Sequence, residues 1–148
     1  MLGTNTYPAA CVQAARDEIA AQIQAYRDLV GAASKASGMS LTRIDAALAA
    51  FEPAFFNNLL IALDARFAQR PSGAGDVLDE VRTIVAALLA HAGVMTGAAD
   101  VGYDPSRSVL RLEPGDRIAL NADDFEALCA AFLAEIEKKQ AFFDRPAL

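Results

Sequence analysis

Tryptophan is absent, histidine occurs once and cysteine twice in the 148 residues, and each scarcity removes a chemistry. A structural zinc needs four nitrogen or sulfur ligands and a catalytic zinc typically three. His91, Cys11 and Cys129 stand apart with no C-x-x-C or Cys/His cluster around them, so no metal site is expected and both cysteines read as free thiols. A bundle-type di-iron site would need Glu-x-x-His pairs, and the residue three before His91 is Leu88. A serine or cysteine nucleophile would have to share that one histidine as its base, and no G-x-S-x-G elbow is present. No cofactor is expected.

Basic charge is also short. The net charge is −6; residues 1–70 carry six basic and six acidic side chains, so all the excess acid lies in residues 71–148. Neither half offers the basic face that neutralises phosphates, which excludes nucleic acid as a partner. Long apolar runs are missing too. A run such as Ile84–Ala90 falls far short of the roughly 20 residues that span a bilayer. The opening MLGTNTYPAA lacks a basic stretch followed by an apolar one, so no secretory signal is read there. A soluble, cytoplasmic protein with no membrane partner is the expectation.

What remains is a chain that is 54% hydrophobic and 22% charged, long enough to bury a core without staples, and crowded with helix formers. One domain over residues 1–148 is expected, mainly α: a bundle of four to five helices. The first runs from Pro8, suited to a first helical position, to about Ala33, with Ile19, Ile23, Tyr26, Val30 and Ala33 as its apolar stripe. Ser34–Gly38 closes it. Ser40 caps a second segment whose stripe is Ile44, Leu48, Phe51, Phe55, Leu59, Leu63 and Phe67. Pro53 makes Glu52 a kink or a boundary between two helices. The piece after Pro53 is apolar nearly all round and is expected to be the central helix.

Gly73-Ala74-Gly75 precedes a helix but has no Lys-Ser/Thr after it and no strand before it, so it reads as a turn rather than a phosphate cradle. Asp76 caps the next helix, Val77 to about Ala92, with Val81, Ile84, Val85, Leu88 and Leu89 buried and Gly93 just past its end. Residues 94–107 form the longest loop, with Asp104-Pro105 starting a turn. In SVLRLEPGDRIAL the alternation of Val109, Arg111 and Glu113 with Leu110 and Leu112 predicts a β-hairpin over about 108–120. Asn121 caps the last helix, about 122–143, whose face is Phe125, Leu128, Phe132, Leu133, Ile136 and Phe143. Arg145-Pro146 ends it. The aromatics at helical spacing read as core, with one of Phe142 and Phe143 free for an oligomer contact.

Polar residues in apolar surroundings single out one candidate ligand site: Glu52, Asn57 and Asn58 on the second segment with Arg82 and His91 on its hairpin partner. An amide buried without partners costs about 1–3 kcal/mol, so Asn57 and Asn58 must serve something. In the functional version they floor a cleft, Glu52 tunes His91 and Arg82 holds an anion. In the structural version the asparagines tie the chain down near Pro53, Arg82 pairs with a neighbouring acid and His91 ends its helix.

FEPAFFNN (Phe51–Asn58), DEVR (Asp79–Arg82), GVM (Gly93–Met95) and the tail SVLRLEPGDRIALNADDFEALCAAFLAEIEKK (Ser108–Lys139) together resemble a family of bacterial hypothetical proteins. The resemblance spans roughly residues 50–140, implies a bacterial cytoplasmic setting and carries over no catalytic residues. The leading expectation is a non-enzymatic module that binds a protein partner or forms a homo-oligomer. A small-molecule bundle using Asn57, Asn58, Arg82 and His91 comes second, and an enzyme with His91 and Glu52 as acid/base pair third.

Overall fold

The computed structural model describes residues 7–35, 40–96 and 103–143, with side chains over 7–35, 42–96 and 103–140. Among the described residues are four α-helices: α1 (Ala9–Ala33), α2 (Ser40–Arg66), α3 (Val77–Ala90) and α4 (Ala122–Phe143). The mainly α expectation holds. Pro8 stands just outside α1, and its carbonyl accepts from Cys11 and Val12.

α2 is one helix, neither split nor ended at Pro53. A proline leaves the carbonyl four residues back without its N–H; here that residue is Ala49, which is exposed, so water can serve it. All-round burial of the piece after Pro53 is corrected as well. Phe56, Leu60 and Leu63 face the core, while Ala54, Asn58, Ala62 and Arg66 are exposed.

The most enclosed helix is α3. Its run from Leu78 to Val81, with Thr83, Ile84, Val85 and Ala87, is buried, and it packs against both α2 and α4. Asp76 caps it as expected, accepting from the Leu78 amide. Leu89 departs from the expected stripe and is 68% exposed. The left-handed turn after α3 starts one residue before the expected glycine: Ala92 has φ 53° and Gly93 φ 77°.

No strand forms over 108–120 among the described residues, which corrects the β-hairpin. The one bridge joins Arg117 to Val94. Around it, the Met95 amide donates to Asp116, Gly115 to Met95 and Ile118 to Gly93, all at 2.8 Å. The segment 115–118 therefore pairs with the exit of α3 instead of with 108–112. The other arm cannot form a ladder, because side chains occupy its backbone groups. The Val109 and Leu110 amides donate to Glu80 at 2.8 and 3.0 Å, Arg111 N–H donates to the Ser108 hydroxyl, and the Leu112 carbonyl accepts from Tyr103. Arg111 itself sits at φ 54°, outside any strand conformation. The turn chemistry of Glu113–Asp116 is real: the Asp116 carboxylate accepts from the Glu113 amide. Asp104 likewise caps the short 3₁₀ turn Pro105–Arg107.

Asn121 caps α4, its side chain accepting from the Asp124 amide at 2.7 Å. Phe125, Leu128, Phe132, Leu133 and Ile136 are buried as the spacing predicts. The side chains of Phe142 and Phe143, together with Arg145-Pro146 and Gly38, lie outside the described residues. Exposed ion pairs join α1 to its neighbours: Arg16 with Glu137, Arg66 with Glu18, and Arg27 with both Asp123 and Glu126. Each contributes at most about 1 kcal/mol.

Candidate functional site

Two of the five singled-out residues meet on one segment. Asn57 donates through its amide nitrogen to the Ile118 carbonyl and accepts through its oxygen from the Leu120 amide, both at 3.2 Å. Its side chain thus stands in for a neighbouring strand against 118–120. Glu52, five residues earlier on α2, accepts from the Ala122 amide at 3.0 Å. It adds a negative charge to the N-terminus of α4, where the helix dipole favours one. Glu52 also faces the buried Tyr26 phenol, whose ionisation is pushed up by burial first and by that carboxylate second.

The other three lie elsewhere. Asn58 and His91 are exposed. Arg82 donates to the Arg70 carbonyl at 3.3 Å and enters no acid pair among the described residues. The structure therefore joins Glu52 to Asn57 through backbone that both hold, and does not gather all five around a common space.

A second polar group, which the sequence reading passed over, lies where α2 turns into α3. Arg70, Asp79 and Glu80 are among the most buried side chains. The Arg70 guanidinium donates to the carbonyls of Asp64, Phe67 and Leu78, pairs with Asp64 at 2.6 Å, and lies 5.0 Å from the Phe132 ring centre. It binds the end of α2 to the start of α3. Burial pulls its pKa down and Asp64 pushes back. Asp79 accepts from Gly73 at 3.0 and 3.1 Å and from Gly75 at 2.7 Å. The two glycines, at φ 92° and 69°, do form an anion cradle, and the chain's own carboxylate fills it. Glu80 holds the Val109 and Leu110 amides; burial pushes its pKa up, against the opposing pull of those two N–H groups.

The signal for this group was faint. Acids in a helix's first turn ordinarily face water and answer the dipole, and only the glycine pair ahead of Asp79 hinted otherwise. Among the described residues no three His, Cys, Asp or Glu side chains gather as a metal would require. The Cys129 thiol is buried and its pKa is pushed well up, the opposite of what a nucleophile needs.

Free surface of another kind runs along the seam of α1 and α2. Ile44, Leu48, Phe51, Phe55, Leu59, Ala62 and Arg66 recur every three or four residues on one flank of α2. Glu18, Gln22, Ala25 and Leu29 do the same on α1. At one end the seam opens into a cleft of about 270 Å³ lined by Glu18, Ile19, Gln22, Leu59, Ala62, Leu63 and Arg66. In the middle Tyr26 stacks on Phe55, and Phe51 stacks on Phe55 in turn. At the far end α1 and α2 outrun the core, leaving Leu29 48%, Phe51 44% and Val30 37% exposed.

α2 also shows what a search for unbroken apolar runs misses. Over Thr42–Arg66 it is long and apolar enough to cross a membrane, and within that span only Phe56, Leu60 and Leu63 are buried. Yet its Glu52, Asn57, Asp64 and Arg66 all bind other parts of the chain, which is how a bundle helix behaves. Compared with protein-family models, curated proteins and solved structures, the chain matches none.

Proposed function

We propose that this chain is a non-enzymatic interaction module that docks a protein on the α1–α2 flank. One observation carries the proposal: both helices extend past the core and hold Leu29, Val30 and Phe51 in water, in line with a cleft whose floor is Ile19, Leu59 and Leu63. A contiguous exposed apolar patch marks an interaction surface, whereas single scattered residues do not. The cleft, at about 270 Å³, lies just below the ~300–1,000 Å³ of sites that enclose a small molecule, and its size favours one anchoring side chain from a partner. A cytoplasmic setting and kinship with the bacterial family belong to the same proposal.

Leu29→Gln and Phe51→Gln together test it. A docking face contributes little to folding, so the double variant should keep its melting temperature to within the loss of one aromatic contact, about 0.5–1.5 kcal/mol. It should also lose the binding of an apolar fluorescent dye that the native wild type shows. A double variant that unfolds, or a wild type that binds no dye even when diluted to monomer, contradicts the proposal.

A further inference from the structure

We infer that the occupant of the flank is a second copy of this chain, related by a two-fold axis that crosses α2 near Phe55. This rests on the interaction reading above and names its partner. A two-fold interface must be self-complementary, each patch carrying both a projection and the recess that receives it. The α2 flank carries both: Phe51 projects, and the cleft between Ile19 and Leu59, Ala62 and Leu63 receives.

The charges agree with the shapes. When two copies of α2 lie antiparallel, the register that centres Phe51 on the Leu59–Leu63 wall of the other copy sets Asp45 across from the partner's Arg66. The same contact recurs on the other side of the axis. Asp45 is exposed and enters no ion pair among the described residues, and Arg66, paired only with Glu18 at the cleft's rim, has donors left for a second carboxylate. One register therefore seats the apolar anchor and matches the charges, and nothing in it needs Glu52 or Asn57 to leave its backbone partner.

Sedimentation equilibrium of the full chain, from micromolar to submillimolar concentration, tests the inference. The wild type should dimerise. Phe51→Ala removes one anchor on each side of the axis and should weaken the dimer by more than about a hundredfold. Ala62→Phe should weaken it comparably by filling the cleft, and because Ala62 is exposed the variant should melt like wild type. Asp45→Arg should raise the dissociation constant by a factor of about three to ten, and the swap Asp45→Arg with Arg66→Asp should restore it. A wild type that stays monomeric overturns the second copy as occupant, while dye binding and the melts of the preceding test still decide the docking face. A dimer indifferent to Phe51→Ala and Ala62→Phe, or a charge swap that fails to rescue, overturns it equally.

Discussion

Glu80 carries more of the fold than its place in a helix's first turn would suggest. Each of its carboxylate oxygens accepts one backbone N–H, from Val109 and from Leu110, and a glutamine can offer only one acceptor there. Glu80→Gln should therefore cost about 1–3 kcal/mol in urea unfolding, and hydrogen exchange at one of those two amides should accelerate. The pH dependence has a definite sign. Burial raises the folded pKa of Glu80 above its ordinary 4.5, so the folded state binds the proton more readily than the unfolded one. Stability from this group then increases as pH falls from neutral toward that value. The gap between wild type and Glu80→Gln should widen over that range. Ala92 offers the opposite prediction. It holds φ 53° without being a glycine, a conformation that costs an ordinary residue roughly 1–2 kcal/mol. Ala92→Gly should stabilise the protein by about 0.5–1 kcal/mol, measured by the same unfolding curves; a loss of stability would show the turn to be set by something other than that dihedral.

Among the elements, α2 bears the largest local conflict. Pro53 sits inside it, where a proline costs about 3 kcal/mol relative to alanine. Pro53→Ala should restore the Ala49 hydrogen bond and raise stability by about 1–3 kcal/mol in the same urea unfolding curves. α4, by contrast, was readable from Asn121 to Ile136: Asn121 as cap, then a face from Phe125 to Ile136, because capping and helical period are both local signals. The 108–120 segment was not. Its alternation fits a strand, but Glu80, which holds the Val109 and Leu110 amides, stands 29 and 30 residues away on α3. Nothing in 108–112 reveals that those two amides already have an acceptor. Asn57 lies between these cases. An amide inside FEPAFFNN announces that it must be satisfied, and the structure supplies Ile118 and Leu120. That its partners would be backbone rather than a ligand depended on where the chain returned sixty residues later.

For the whole molecule, the polar groups inside are turned inward: Arg70 on helix ends, Asp79 in the glycine cradle, Glu80 and Asn57 on returning backbone. These contacts stitch α2, α3, α4 and the segment between the last two into one core. Of the five large apolar side chains left exposed among the described residues, Leu29, Val30 and Phe51 lie at the end of the α1–α2 pair, and the proposed docking face is there. The dimer inferred for that surface is tested by hydrogen exchange followed against protein concentration, over the amides of α2 from Thr42 to Phe51. Protection in this stretch should rise with concentration, while that of α3, already enclosed, should not change. Equal protection of residues 42–51 at all concentrations, or a rise confined to α3 or α4, would contradict it.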